Sequence, residues 1–189
     1  RDNAITSQAV QCGSNSTFEW QTVITTPATG LGSGAVWADG TFFTAGGIRV
    51  TQTTSDGAPS DSLPSFFRVN AQTGNHTGYY RLEMDTTGNT ELSAESVLFT
   101  FDQPMAGLNF ALLDVDWSSG NWEDYVQVIA TGPNGNPVSY LSTFDSGTNL
   151  ARVGDWTEAD VTASATQTIG NQRYRFMDAV SSLRIVYVQ

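Results

Sequence analysis

The sequence contains no lysine, and only one cysteine and one histidine, in 189 residues. With Cys12 alone, no disulfide can form within the chain, so stability has to come from packing. A chain of this length buries about 70% of the surface that its unfolded form exposes, enough for one self-sufficient core, and a single domain over 1–189 is expected. The lack of lysine also excludes a Lys–Asn isopeptide crosslink. His76 and Cys12 leave a zinc site without its usual ligands. A Ser-His-Asp triad would have to use His76, whose context, Thr73-Gly74-Asn75-His76-Thr77-Gly78, predicts a turn.

Positive charge is scarce. All eight basic residues are arginines, against nineteen Asp and Glu, for a formal net charge of -11. Nucleic-acid affinity comes mainly from neutralising phosphates with basic side chains, so nucleic acid and anionic membrane are excluded as expected partners. Hard divalent cations are the natural complement of clustered carboxylates, although the same charge also keeps a protein soluble. No run of apolar residues approaches the ~20 needed to cross a bilayer as a helix. The chain opens at Arg1 with no apolar leader, which suggests a processed chain or a piece of a larger one.

What is abundant is Thr, Ser, Gly and Asn, the residues of turns and of the outer faces of strands. Period-two alternation puts Val97, Phe99 and Phe101 on one face over 96–101, and Leu108, Phe110 and Leu112 follow a break expected at Gln103-Pro104. Val126, Val128 and Ala130 share a face over 125–130. Gly132-Pro133-Asn134-Gly135-Asn136 should then reverse the chain into a hairpin partner over 138–141. Leu183, Ile185 and Tyr187 alternate against Arg184, Val186 and Val188. Weaker strands are expected over 17–25, 42–53, 66–69 and 79–84. The expected fold class is all-β, an antiparallel β-sandwich of jelly-roll type, with at most one short helix near 157–163 capped by Asp155.

One acidic constellation carries chemistry. Asp114 and Asp116 are two apart in an extended segment, so they project to one side about 7 Å apart at Cα. The loop Trp117-Ser118-Ser119-Gly120-Asn121-Trp122 returns to Glu123 and Asp124 at the head of the next strand. Like charges packed together cost free energy unless a cation neutralises them. Asp114, Asp116, Asp124, Asn121 and Glu123 are therefore candidate ligands for Ca2+; the alternative is that all are solvated loop residues. The spacing is not that of the helix-loop-helix calcium loop. Trp117 and Trp122 flank this site as candidate ligand-binding aromatics, or else cover the core. Further acidic groups, Asp56 with Asp61, Asp85 with Asn89 and Glu91, and Asp155 with Glu158 and Asp160, match what chance clustering produces in so acidic a chain.

The segment Leu98-Phe99-Thr100-Phe101-Asp102-Gln103-Pro104-Met105-Ala106-Gly107-Leu108-Asn109-Phe110, followed by Leu113-Asp114-Val115-Asp116, Asp124-Tyr125-Val126-Gln127-Val128, Gly135-Asn136-Pro137-Val138 and Val180-Ser181-Ser182-Leu183-Arg184-Ile185-Val186-Tyr187, resembles modules of large bacterial surface and adhesin proteins. It is similar to their calcium-dependent, ligand-binding β-sandwiches over the second half of the chain. The resemblance implies a secreted or cell-surface location and metal binding. The expected function is thus a calcium-binding module for a glycan or peptide rather than an enzyme. Alternatives are a filament subunit joined to neighbouring copies by strand donation from a segment such as 3–10, and a polysaccharide-active enzyme using two of the nineteen carboxylates.

Overall fold

Successive side chains of an extended chain point to opposite faces, and the buried positions of β10 and β14 alternate as that rule requires. In the computed structural model, which describes residues 35–36, 40, 42–45, 47–56, 68–73, 76–81, 94–112, 115, 117–118, 122–145, 150–159 and 170–188, every regular element is a strand. In chain order these are β1 (Ala35–Val36), β2 (Phe42–Ala45), β3 (Ile48–Asp56), β4 (Arg68–Thr73), β5 (His76–Arg81), β6 (Ala94–Met105), β7 (Asn109–Leu112), β8 (Trp117–Ser118), β9 (Trp122–Glu123), β10 (Tyr125–Thr131), β11 (Tyr140–Phe144), β12 (Leu150–Val153), β13 (Trp156–Ala159), β14 (Gln172–Phe176) and β15 (Val180–Val188).

The strands form an antiparallel β-sandwich. A seven-stranded sheet in the order β12-β13-β10-β15-β6-β3-β2 faces a three-stranded sheet in the order β11-β14-β7. The core lies between them: Val50, Val97, Phe99, Val128 and Leu183 of the larger sheet pack with Tyr174 and Phe176 of β14. An aromatic group on the smaller sheet thickens this layer. Phe110 stacks on Tyr174 with ring centroids 5.0 Å apart, and Tyr140 meets Tyr174 and Phe176 edge-on at 5.2 and 5.5 Å. Arg152 of β12 joins the sheets at one margin, donating to Ser142 Oγ of β11 at 3.2 Å and lying over the Tyr140 ring.

The inward positions expected on β6 and β10 are buried as the alternation requires; on β15 Leu183 is buried, while Ile185 and Tyr187 are half-buried, as Val186 and Val188 are. β15 is held between β6 and β10, with Leu183 opposite both Phe99 and Ala130. The expected strand over 42–53 is a hairpin, β2 to β3, turned through Gly47 at φ 83°, a conformation open to glycine. The strand expected over 17–25 lies outside the described residues.

Three expectations need correction. β6 continues through Gln103-Pro104 to Met105. Its pairing with β15 jumps from Thr100–Ser182 to Met105–Val180, so proline stands in an interrupted part of the ladder, where its missing N–H costs no pair. There Arg49 N of β3 bonds the side chain of Asp102 at 3.0 Å.

The turn after β10 forms, with Gly132 N to Asn136 O at 2.9 Å and Val138 N to Ala130 O at 2.9 Å. Beyond it the chain leaves for the other sheet, where β11 pairs with β14 and not with β10. The short helix is absent over 157–159, which belong to β13; residues 160–163 lie outside the description. Thr157 and Ala159 are both buried, a period of two that no helix provides, and Asp155 is no cap but part of the Gly154–Asp155 turn closing Val153 against Trp156.

Phe176→Ala should therefore destabilise the fold by about 3–5 kcal/mol. Leu141→Ala, at a side chain 61% exposed on the outside of the smaller sheet, should stay within about 0.5 kcal/mol of the parent. Urea titration followed by tryptophan fluorescence measures both, and equal losses would contradict this placement of the core.

Candidate metal centre

Asp124 lies between β9 and β10, and the alternation that turns Val126, Val128 and Ala130 inward turns it inward too. It is 5% exposed. Tyr187 of β15, opposite Val126, donates its hydroxyl to Asp124 Oδ1, and the Asp124 carbonyl accepts the Ala159 amide at 3.2 Å. This end of the sandwich has its own apolar cluster of Val115, Val126, Leu150 and Ala159, with Trp117, Phe144 and Tyr187 packed against it. A carboxylate here has given up most of its water, which is tolerated only with hydrogen bonds or an opposing charge. A second carboxylate shares the inner face. Glu95 of β6 is 1% exposed and in register with Tyr187, on the side of that strand away from β10.

Glu123 goes the other way. It neighbours Tyr125, whose hydroxyl is hydrogen-bonded to it, and Tyr125 is in register with Glu158 of β13. Burial, the bond to Glu123 and the charges of Glu123 and Glu158 push the Tyr125 phenol up to about 12. Glu123 and Asp124 therefore serve opposite faces and do not converge. Asp114, Asp116 and Asn121 lie outside the described residues. Val115, between the two aspartates, is buried in the end cluster, and its amide donates to Gly170 O at 3.0 Å. Trp117 packs against the same cluster and is in register with Glu123 across the β8–β9 ribbon, in which Ser118 faces Trp122. Among the described residues, no three His, Cys, Asp or Glu side chains converge as a metal would require.

Polar groups that the sequence reading did not single out adjoin this cluster. Gln172 of β14, fully buried, accepts at Oε1 from Thr157 Oγ1 and from Tyr174 Oη, each at 2.6 Å, which links the two sheets through their core. Burial pushes the Tyr174 phenol up to about 12, keeping it a donor. Next to it, Asn171 is 2% exposed and gives Nδ2 to Asp145 Oδ2 at 3.4 Å. Asp145 also takes Arg173 through two contacts, at 2.8 and 3.2 Å, which hold its carboxyl below the usual carboxylate range.

Asn171 Oδ1 and Gln172 Nε2 have no hydrogen-bond partner among the described residues. An unpaired buried polar atom costs about 1–3 kcal/mol. In the sequence, the visible sign of the inward carboxylates was an acid on an apolar face: Glu95 continues the row Val97, Phe99, Phe101. Nothing marked Asn171 or Gln172 among so many polar residues.

Both raised phenols bear on alkaline stability. Each folded-state pKa of about 12 exceeds the ordinary 10.0, so the native state holds these protons after the unfolded chain has lost them. The associated stability is present below pH 10 and is lost as pH rises from 10 to 12. Phenolate absorbance should show two of the six tyrosines titrating near pH 12, and Tyr125→Phe should remove one of them; a single transition of all six near 10 would contradict it.

Compared with known proteins, the chain matches no family model, no curated protein and no solved structure. Its function is therefore read from its own residues.

Proposed function

We propose that this chain is a calcium-binding β-sandwich module of the bacterial surface and adhesin type, acting outside the cell by binding a glycan or peptide rather than by catalysis. One observation carries the metal half of the reading. Val115, which separates Asp114 from Asp116 in the sequence, shares one apolar cluster with Val126, and at that end of the sandwich Asp124 is buried beside Tyr187. Asp114, Asp116 and Asp124, with Asn121, are the ligands in this reading, because calcium takes carboxylate and amide oxygens in an irregular shell. Glu123, bonded to Tyr125 on the other face, is left out of the set.

The ion ties the loop before β10 to the sheet, and its role toward a partner runs through the β8–β9 ribbon that the loop carries. Trp117 is half-buried against the end cluster, so its first role is to cover the core. The ligand is then met by the rest of the ribbon and by the ion. Filament assembly by strand donation is less well supported. The candidate donor, segment 3–10, lies outside the described residues.

Calcium should raise the melting temperature of chelator-treated protein. At about 100-fold over Kd the gain is about 2.7 kcal/mol. Asp116→Ala and Asp124→Asn should each remove most of it. Identical melting curves in calcium and in chelator would overturn the metal reading. Glycan and peptide arrays probed with and without chelator test the rest, and a module that retains nothing with calcium present is not an adhesin of this kind.

A further inference from the structure

We infer that the outer face of the smaller sheet is a binding surface for an acidic polysaccharide, one whose sugars carry carboxylate groups. Strands β7, β11 and β14 contain no Asp or Glu, in a chain with nineteen, and they hold two of its eight arginines. Alternation sends Phe110, Tyr140, Tyr174 and Phe176 to the core. It therefore turns Asn109, Ala111, Leu141, Thr143, Arg173 and Arg175 outward, and every one of these is exposed. The outer face of the larger sheet differs, for Ser96 is buried there and Leu98, Gln127 and Val186 are half-buried.

The register sets the outward side chains in two rows across the sheet, Leu141–Arg175–Asn109 and Thr143–Arg173–Ala111. The two arginines are not equivalent. Arg173 gives Nε and Nη2 to Asp145, which offsets its charge. Arg175 has no carboxylate partner among the described residues, so its guanidinium leaves this face positive. A planar guanidinium matches a carboxylate through two parallel N–H bonds. On one side of Arg175, Leu141 offers an apolar surface to the C–H groups of a sugar ring. On the other, Asn109 gives Nδ2 to Gly107 O at 3.2 Å and presents its oxygen to sugar hydroxyls.

The dimensions favour a sugar chain over a folded protein. Five positions along three strands measure about 17 by 10 Å, far below the roughly 800 Å² that each partner of a stable protein complex buries. A peptide is disfavoured for a different reason. The β14 backbone is paired on both sides, so a peptide laid over it would leave its own N–H and C=O groups unpaired; peptides add at sheet edges instead. The net charge of -11 repels a polyanion at long range. In about 0.15 M salt that repulsion is screened beyond about 8 Å, whereas contact at Arg175 persists. Affinity therefore depends on this one side chain.

The test is titration calorimetry on the whole chain at physiological salt, with chelator present. The probes are an oligomer of galacturonic acid, its methyl ester, in which the same sugars lose their charge, and poly-glutamate. The acid oligomer should bind, and its ester should bind about tenfold more weakly or worse. Arg175→Gln should raise the Kd for the acid oligomer by about tenfold or more. Arg184→Gln, at an exposed arginine of the larger sheet, changes the net charge equally and should stay within about twofold of the parent. Amide NMR shifts on adding the oligomer should centre on β7, β11 and β14.

Failure of the acid oligomer to bind, an ester bound as tightly as the acid, or equal losses in the two arginine variants would each overturn the inference. So would shifts centred on another sheet. Tighter binding of poly-glutamate would assign Arg175 to an acidic peptide instead. The surface uses none of the proposed calcium ligands and is probed in chelator, so each of these outcomes leaves the calcium reading where it stood.

Discussion

The aromatic face of the smaller sheet, packed onto the larger one, is the contact on which the rest of the molecule depends. Three strands cannot bury enough surface alone, and a seven-stranded sheet with one apolar face needs a cover. Tyr174 and Phe176 supply that cover, bracketed by Phe110 and Tyr140. Aromatic pairs of this geometry contribute about 0.5–1.5 kcal/mol each beyond the area they bury. With one cysteine and eight basic residues in the chain, this packing carries much of the burden of fixing the register.

The same alternation brings polar groups into the interior. A strand whose Val97, Phe99 and Phe101 point inward also points Glu95 inward, and one whose Val126 and Val128 do so carries Asp124 with them. At the β10 end of the sandwich the apolar layer therefore gives way to carboxylates around Tyr187, and the Thr157–Gln172–Tyr174 bonds extend polar contact between the sheets nearby. Buried polar groups of this sort add little net stability, but they penalise alternative registers that would leave them unpaired.

The candidate site was legible in unequal parts. Asp124 could be assigned to the inner face from the period of β10 alone. That Glu123 serves the other face follows from the same rule, yet treating both as loop residues at one hairpin end hid it. Trp117 packs half-buried against the end cluster, the core-covering alternative weighed for it from the sequence. Asn171 and Gln172 were invisible because an amide's significance depends on whether its partners are satisfied, and that is a property of neighbours far along the chain.

Local chemistry by itself determined the strand class of the chain, the inward residues of β6 and β10, and the turn at 132–136, because period and turn preference are set within a few residues. Long-range pairing decided the rest. It placed β15 between β6 and β10 and sent β11 to β14. It also made 157–159 a strand, since an edge offered by β10 on one side and β12 on the other outweighs a weak helical preference. Whether an acid is a solvated loop residue or a buried group beside Tyr187 was likewise decided only there, because burial is conferred by whatever packs opposite.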